Sequence, residues 1–469
     1  MIRFGTDGWR AVIAEEFTLR NVRRVCSGID RAFRVPGASP GLAVVGHDTR
    51  FLSRRFAESA AATLLAAGWR VQLCPAASPT PAASCQVAAS GAAFAVVITA
   101  SHNAAPFSGV KIKDSSGASA APSITAAVEQ EIPDEPGPLA DLVEARRTGR
   151  LEDLSFAAAH RERLSRMADL AAIRSSGLRV VWDPMHGAAG RLLEELLAGG
   201  AAQVTTLHAE PDPLFGGVHP EPLERNLEEL RSQVIARRAA AGLATDGDGD
   251  RIGAFDETGQ FVSPLRLAPL LAWSLIRKGR SGPLAKTFAN TILLDRIAQR
   301  YGLPFSTFPV GFKYIASEMQ AGRLLLGGEE SGGIGVEGFI PERDGTMVSL
   351  LLLQAMVDSG STLSAMVGEL TREFGETFYA RRDLALPAEA GRQIVERLRA
   401  APPAALGGLR ITGADPLDGI KLLFGDEGWI LFRASGTEPV LRVYSEAPTR
   451  ESLDAVMSEA VRLAEAAQS

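Results

Sequence analysis

The sequence predicts three tandem α/β domains with mixed, mainly parallel sheets, followed by a smaller C-terminal α+β domain, all arranged around a central cleft. Short apolar runs alternate with helix-period segments in 41–74, 178–208 and 284–327, which is the pattern of βαβ units. From about residue 374 several strand-like runs follow one another, which indicates an antiparallel sheet. The domain boundaries that we expect are 1–165, 166–262, 263–372 and 373–469.

Length, charge and cysteine content restrict the class of protein. At 469 residues the chain is too long for a single core, and its net charge of −6 disfavours a nucleic-acid partner. The three cysteines fit neither a disulfide framework nor a zinc-ligand spacing, so we expect buried thiols. The first ten residues carry no secretory signal, and the longest apolar stretches fall short of the ~20 residues of a membrane span. We therefore expect a cytoplasmic protein with no membrane partner, either a monomer or a homodimer.

The first candidate site is the stretch VITASHN at 97–103, which is followed by GVKIK at 109–113. Ser101 and His102 come directly after a predicted buried strand, at the edge where α/β sheets place their ligands. A hydroxyl needs a base, a metal or phosphorylation to take part in catalysis, and Lys111 and Lys113 could hold an anionic group beside it. The alternative is a turn serine that caps the next segment, with His102 as a plain hydrogen-bond donor instead of a proton carrier.

The second candidate site consists of Asp246, Asp248 and Asp250, in the segment TDGDGDR at 245–251. Carboxylates at alternate positions, separated by glycines, can fold around one hard cation, and without a cation they would repel one another. A calcium-binding EF-hand loop is the sharper alternative. However, its sixth position would be Arg251 instead of glycine, and the segment that follows resembles a hairpin instead of a helix. A catalytic site for a divalent ion such as Mg²⁺ is the favoured interpretation.

Two further loops carry groups that suit a sugar phosphate. The segment GGEESGG at 327–333 offers carboxylates and a hydroxyl that could bind neighbouring sugar hydroxyls, although acidic glycine-rich turns are common. The segment RASGTEPVLR at 433–442 combines small residues, two hydroxyls and an arginine at each end, which favours a phosphate-binding loop over a plain surface hairpin. Arg10 ends another glycine-rich turn, and Lys313 follows a predicted strand and could reach a phosphate or a sugar.

These motifs together resemble those of the α-D-phosphohexomutase family, which includes phosphoglucomutases and phosphomannomutases. The matching segments occur in the family's order and span the chain: FGTDGWR (4–10), TASHN (99–103), GVKIK (109–113), TDGDGDR (245–251), VGFKYI (310–315), GEESGG (328–333) and FRASGTEPVLRVYSE (432–446). The resemblance implies a four-domain enzyme whose resting state carries a phosphorylated serine.

The resemblance also implies roles for single residues. Ser101 would be the phosphoserine, and one Mg²⁺ per chain would be held by an oxygen of that group together with Asp246, Asp248 and Asp250. Charge neutralisation and proton transfer at the reacting group would involve Arg10, His102, Lys111 and Arg251. The residues that would bind the sugar hydroxyls and the phosphate that is not reacting are Lys313, Glu329, Ser331, Arg433, Ser435, Gly436, Thr437 and Arg442.

By this resemblance the reaction interconverts hexose 1-phosphate and hexose 6-phosphate through a bisphosphorylated sugar, with hexose 1,6-bisphosphate as activator. We expect phosphoglucomutase activity, with phosphomannomutase activity beside it. The loop GEESGG is closer to the glucose and mannose branches than to the GEQSGH-type loop of phosphoglucosamine mutases. The alternatives are a phosphoglucosamine mutase, a phosphatase in which water intercepts the phosphoserine, and a non-catalytic sugar-phosphate sensor. The complete set of catalytic groups argues against the sensor.

Overall fold

A computed structural model describes residues 2–5, 7–434 and 439–466 of the chain. Three α/β segments are followed by an α+β segment with an antiparallel sheet, which confirms the predicted fold class. The chain divides into two compact units, one made of Met1–Gly282 with Phe312–Met366 and the other of Pro283–Gly311 with Val367–Ser469. The predicted domain boundaries, and the predicted arrangement of the domains around one cleft, stay predictions.

The first α/β segment is built on a mixed six-stranded sheet. Its strands are β1 Trp9–Val12, β2 Leu42–His47, β3 Arg70–Leu73, β4 Phe94–Ile98, β5 Phe107–Asp114 and β6 Leu151–Asp153, in the spatial order β1-β5-β4-β2-β3-β6. Its helices are α1 Leu19–Phe33, α2 Ser53–Ala66, α3 Thr80–Ser90, α4 Pro122–Glu131 and α5 Leu142–Arg147, and α6 Ala157–Met167 and α7 Leu170–Ser175 follow. Strands β4, β2, β3 and β6 are parallel, whereas β5 is antiparallel to β4 and to β1. The turn between β4 and β5 therefore lies at the carboxyl edge of the parallel strands.

Local sequence explains why the first helix forms. Helix α1 begins after Thr18, whose side-chain oxygen accepts a hydrogen bond from the Asn21 N–H at 3.2 Å. Apolar residues at helical spacing bury one face of α1, among them Val22, Cys26 and Ile29. All three cysteines of the chain are buried and free, as the sequence predicted.

The second α/β segment has a five-stranded sheet. Its strands are β7 Arg179–Asp183, β8 Gln203–Thr206, β9 Ala241–Thr245, β10 Ile252–Asp256 and β11 Phe261–Val262, with helices α8 Leu192–Leu197 and α9 Glu228–Arg237. The spatial order is β11-β10-β9-β7-β8, and β7 is parallel to both β8 and β9. Strands β9 and β10 are antiparallel and fully buried, and the loop with the three aspartates joins them. The antiparallel pair β10–β11 confirms the predicted hairpin, so an EF-hand, which needs a helix there, is excluded.

The third α/β segment contributes to both compact units. Its elements are α10 Pro264–Arg277, β12 Leu284–Thr287, α11 Leu293–Tyr301, β13 Phe305–Phe308, α12 Phe312–Gln320, β14 Leu326–Gly328, β15 Ile334–Val336, α13 Gly345–Ser359 and α14 Leu363–Phe374. Strands β12 and β13 are parallel, and β14 and β15 form a short antiparallel pair. Helix α13 is buried along most of its length, and Asp344 caps its start by accepting from the N–H groups of Thr346 and Met347 at 2.8 and 3.0 Å. Within the described ranges no single helix is long and apolar enough to cross a membrane, and only the bent pair α13 and α14 together reaches that length and composition.

The C-terminal segment is an α+β structure. Its elements are β16 Phe378–Ala385, α15 Ala388–Ala400, β17 Ala405–Leu406, β18 Leu409–Arg410, β19 Gly413–Asp415, β20 Ile420–Leu423, β21 Trp429–Ala434, β22 Val440–Ala447 and α16 Arg450–Ala466. Five strands form an antiparallel sheet in the order β16-β22-β21-β20-β19, and β17 and β18 form a separate pair. The register of β21 and β22 sets Arg433 directly opposite Arg442.

A buried carboxylate ties the C-terminal sheet to the start of α11. Glu446 on β22 is 1% exposed and accepts hydrogen bonds from the Thr291 hydroxyl at 2.6 Å and the Ile292 N–H at 2.8 Å. The same carboxylate accepts from the Trp429 indole N–H at 3.0 Å. Because both carboxylate oxygens serve as acceptors, the group is satisfied without a cationic partner among these contacts.

We expect Glu446→Met to destabilise the compact unit that contains this sheet, because an apolar side chain accepts none of the three hydrogen bonds that the carboxylate accepts. A buried donor left unpaired costs about 1–3 kcal/mol. The measurement is amide hydrogen exchange in β21 and β22, which should become on the order of tenfold faster or more. The control is Glu427→Met, at an exposed turn position. Equal exchange rates in the Glu446 and Glu427 variants would show that the Glu446 carboxylate does not stabilise the sheet.

Candidate functional site

Ser101 lies in the turn that follows β4 and is 1% exposed. Its hydroxyl donates a hydrogen bond to Asp246 Oδ2 at 2.7 Å, and its Oγ lies 3.3 Å from His102 Nδ1. The backbone of Ser101 has φ +53°, in the left-handed region that non-glycine residues rarely adopt. The fold therefore aims the serine oxygen at the first of the three aspartates, a residue that is 145 positions away in sequence.

The three aspartates form one buried cluster. Asp246, Asp248 and Asp250 are fully buried, and one ligand oxygen from each lies within 4.8 Å of the others. The loop closes on itself because Asp246 Oδ1 accepts from the N–H groups of Asp250 at 2.9 Å and Arg251 at 3.2 Å. Gly249 adopts φ +77°, a conformation that glycine takes without strain.

This donor set fits a hard divalent cation. Asp248 Oδ1 and Asp250 Oδ1 are buried and have no hydrogen-bond partner among the described residues. Burial, together with the negative charges of Asp248 and Asp250, raises the pKa of Asp246 well above its usual value. Oxygen atoms that are buried, close together and unpartnered are the ligands that Mg²⁺ or a similar ion takes. Such an ion would offset the repulsion among the three carboxylates.

Lys111 supplies a positive charge to the same cluster. Its ammonium lies 2.8 Å from both Asp248 Oδ2 and Asp250 Oδ2 and 2.9 Å from Asp7 Oδ2. Burial alone would lower the pKa of Lys111, but the carboxylates of Asp248, Asp250 and Asp7 raise it above its usual value. The side chain therefore stays protonated and acts as a fixed cation.

Lys113 has different partners from Lys111. Its ammonium donates to Ser119 Oγ at 2.9 Å and pairs with the buried carboxylate of Glu342. Both charges of this pair are fully buried. The expectation that Lys113 holds an anion beside Ser101 therefore finds no support in these contacts.

Arg343 was not identified from the sequence, yet it connects three parts of the site. Its Nη2 lies 2.6 Å from Asp7 Oδ2 and 2.8 Å from Asp250 Oδ2, and its Nη1 donates to Glu329 Oε2 at 2.7 Å. Burial raises the pKa of Glu329, while the neighbouring guanidinium opposes this rise. The glutamate predicted to bind sugar hydroxyls is thus linked through one arginine to an aspartate of the cluster. Asp7 lies within the quoted motif FGTDGWR, but no residue near it in sequence identifies these partners.

Thr80 was also not predicted from the sequence to lie in the site. Its hydroxyl donates to Asp248 Oδ2 at 2.6 Å, and its N–H donates to the Asp248 carbonyl oxygen at 2.9 Å. The prolines at 79 and 81 mark the start of α3, which is a local signal for a helix and not for a contact 168 residues away. Thr80 therefore fixes the orientation of one candidate metal ligand.

The other predicted site residues of this compact unit are Arg10, His102, Arg251, Lys313 and Ser331. Arg10 Nη1 donates to Asn103 Oδ1 at 2.7 Å, and Arg251 is 9% exposed with Nη1 at 3.3 Å from Glu221 Oε1. Desolvation and the positive charges of Arg251 and Arg10 hold the pKa of His102 well below its usual value. Lys313 lies at the start of α12, with its ammonium 5.4 Å from the Tyr314 ring centre, and Ser331 lies in the loop between β14 and β15.

Two of the predicted phosphate-binding residues of the C-terminal segment, Arg433 and Arg442, lie on the adjacent strands β21 and β22. Arg433 Nε donates to Asp418 Oδ2 at 2.9 Å, and Arg442 Nε lies 3.8 Å from Asp383 Oδ2. Ser435, Gly436 and Thr437 lie outside the described residues. The two arginines lie directly opposite each other on adjacent strands, and each has a carboxylate neighbour.

Family models cover most of the chain. The models for the phosphoglucomutase/phosphomannomutase α/β/α domains I, II and III match residues 1–136, 158–259 and 264–374. The model for the C-terminal domain of the same family matches residues 391–463.

Relatives that match over almost the whole chain are named either phosphoglucomutase/phosphomannomutase or phosphoglucosamine mutase. A phosphoglucomutase/phosphomannomutase of Thermococcus kodakarensis is 31% identical over 464 residues, which cover 99% of this chain and 98% of that protein. A phosphoglucosamine mutase of Frankia alni is 32% identical over 462 residues, which cover 95% of this chain and 94% of that protein. The crystal structure of a proposed phosphomannomutase from Thermus thermophilus superimposes with a TM-score of 0.87 at 36% identity, and the match covers 99% of both chains.

We expect Thr80→Val to weaken Mg²⁺ binding, because Asp248 loses the hydroxyl that orients it. Loss of a partner that orients a metal ligand typically lowers metal affinity by about 10–100-fold. Titration calorimetry with MgCl₂ measures this affinity without turnover. The matched control is Thr49→Val, since the buried Thr49 hydroxyl has no hydrogen-bond partner among the described residues. Equal Mg²⁺ affinity in both variants would rule out this role for Thr80.

Proposed function

The chain belongs to the phosphoglucomutase/phosphomannomutase family, whose members are isomerases, and we propose that it interconverts hexose 1-phosphate and hexose 6-phosphate. Ser101 would donate its phosphoryl group to the free hydroxyl of the substrate and give a bisphosphorylated sugar. That sugar would turn end for end and return its other phosphate to the serine. A hexose 1,6-bisphosphate would act as activator by phosphorylating unmodified Ser101.

One observation carries the proposal: the Ser101 hydroxyl donates to Asp246 inside the buried aspartate cluster. A phosphate on Ser101 would carry about −1.5 to −2 charges near neutral pH, which carboxylates alone would repel. Asp246, Asp248 and Asp250, with an oxygen of the phosphoserine, would hold Mg²⁺. When bound, this ion polarises the phosphoryl group and neutralises part of its charge.

Lys111 and His102 suit different tasks beside a phosphoryl group on Ser101. Lys111 is held protonated by its carboxylate neighbours, so it can neutralise charge on the phosphoryl oxygens but is a poor proton acceptor. The low pKa of His102 leaves its imidazole neutral near pH 7, and a neutral imidazole can accept the proton of the attacking sugar hydroxyl. Arg10 and Arg251 would add further positive charge around the reacting group.

Separate residues would recognise the rest of the substrate. The opposed pair Arg433 and Arg442 supports binding of the phosphate that is not reacting, together with Ser435, Gly436 and Thr437. Glu329 and Ser331 would bind sugar hydroxyls, with Arg343 fixing the carboxylate of Glu329. Lys313, at the start of α12, would contact the phosphate or the sugar.

Glucose phosphates are the proposed main substrates, and mannose phosphates are the second. The sequence of the loop at 328–333, GEESGG, supports this choice. The phosphoglucosamine mutase of Frankia alni, at 32% identity, favours glucosamine phosphates as the alternative substrate. A phosphatase that uses the same site is a further alternative, because water could attack a phosphoserine.

We expect Ser101→Ala to abolish interconversion, with a loss of kcat of about 1,000-fold or more, because the group that exchanges phosphate is removed. Binding of glucose 1-phosphate, measured by titration calorimetry, should stay within about threefold of the unmodified protein, since the phosphate and sugar contacts remain. The control is Ser115→Ala, at an exposed turn. Normal turnover in the Ser101→Ala variant would exclude a phosphoserine mechanism.

A comparison of three substrates decides between the hexoses. With Mg²⁺ and a trace of the matching bisphosphate, we expect kcat/KM to fall in the order glucose, mannose and glucosamine 1-phosphate. Release of inorganic phosphate is measured in the same reactions and should stay far below the rate of interconversion. A preference for glucosamine 1-phosphate would favour the alternative mutase, and phosphate release that matches substrate loss would favour the phosphatase.

A further inference from the structure

Arg50 is a buried arginine that lies against the backbone of the Ser101 turn. It precedes α2, and its side chain is fully buried. Its guanidinium has five N–H donors. These donors meet five acceptors, which are Asp48 Oδ2 at 3.0 Å and the carbonyl oxygens of Ser101 at 2.6 Å, Asn103 at 2.6 Å, Ala104 at 2.8 Å and Phe107 at 2.9 Å.

The turn that Arg50 contacts needs external support. Ser101 adopts φ +53°, and a serine keeps such a conformation only when its surroundings determine it. Within the turn, backbone hydrogen bonds run from Asn103 N–H to the Ala100 carbonyl and from Phe107 N–H to the Ala104 carbonyl, both at 3.1 Å. The four carbonyl contacts of Arg50 span the whole turn from Ser101 to the start of β5.

Arg50 is itself held in place. Asp48 accepts from the Arg50 side chain through Oδ2, and its Oδ1 accepts from the Arg50 N–H at 3.0 Å and the Ser53 hydroxyl at 2.7 Å. This arrangement fixes the guanidinium relative to β2 and the start of α2. A lysine could keep the charge, but its single ammonium cannot reproduce five donors in one plane.

The same guanidinium is also close to the second α/β segment. The Arg50 guanidinium carbon lies 4.8 Å from the centre of the Phe215 ring. The carbonyl oxygen of Ser101 faces Gly247 of the aspartate loop so closely that a Cβ there would lie 2.7 Å from it. A small shift of the Ser101 carbonyl would therefore change the distance between the serine turn and the aspartate loop.

We propose that Arg50 is a positioning residue for the nucleophile: it holds the Ser101 turn in the geometry that phosphoryl transfer requires. This inference rests on the proposed function. All five donors of Arg50 are used within the protein, so its loss should reduce kcat and leave substrate binding unchanged. A misplacement of about 1 Å at the reacting atom can cost on the order of 100-fold in rate.

The test compares Arg50→Lys with Arg54→Lys, a control at an exposed position that pairs with Glu58. The proposal predicts that Arg50→Lys lowers kcat for glucose 1-phosphate about 100-fold, while KM and the calorimetric Kd of glucose 1-phosphate change less than about threefold. Arg54→Lys should match the unmodified protein. Equal kcat in the two variants, or a parallel loss of kcat and of binding, would overturn the proposal.

A second measurement tests the positioning role of Arg50 without turnover. Hydrogen exchange of the amides in 101–107 should become about tenfold faster or more in Arg50→Lys, with unchanged exchange in α13. If the unmodified protein never acquires phosphate on Ser101, the proposed function fails, and the exchange result alone then decides the positioning role. If Arg50→Lys does not fold, Asp48→Asn replaces it, because it keeps Arg50 but removes the carboxylate that orients it. Unchanged exchange of the turn in the folded variant would refute the positioning role.

Discussion

The site depends on the burial of several carboxylates in one small volume. Asp7, Asp246, Asp248, Asp250 and Glu329 have low side-chain exposure, and the cations that contact them directly in the described part of the chain are Lys111 and Arg343. Buried charges are costly unless they are paired, so two cations leave this group of five carboxylates with an excess of negative charge. A divalent ion at the three loop aspartates would offset two of the three excess charges and would make a phosphate on Ser101 less unfavourable in the same place.

The fold brings these charges together by close backbone contacts. A Cβ on Gly247 would lie 2.7 Å from the Ser101 carbonyl oxygen, and a Cβ on Gly345 would lie 2.3 Å from the Arg251 carbonyl oxygen. The Gly345 N–H donates to the Gly249 carbonyl at 3.0 Å, so the start of α13 supports the aspartate loop directly. Glycine is needed at these positions because any side chain would push the loop away from its neighbours.

Features with a local signal could be predicted from the sequence, and distant partners could not. The strand before Ser101, the strand before Asp246 and the hairpin after Arg251 all follow from short patterns of apolar residues and turns. Arg343 and Asp7 are 336 positions apart, and no local sequence pattern indicates that their side chains are in contact. Lys111 and Lys113 show the same limit, because both lie on one face of β5 and only Lys111 contacts the aspartates.

The most direct test of this account is a crystal structure of the protein with Mn²⁺ in place of Mg²⁺, in which anomalous scattering locates the ion. The account predicts one strong peak, bonded to a carboxylate oxygen from each of Asp246, Asp248 and Asp250 and to an oxygen carried by Ser101. A peak bound elsewhere, or no peak while Lys111 keeps its contacts with Asp248 and Asp250, would contradict it.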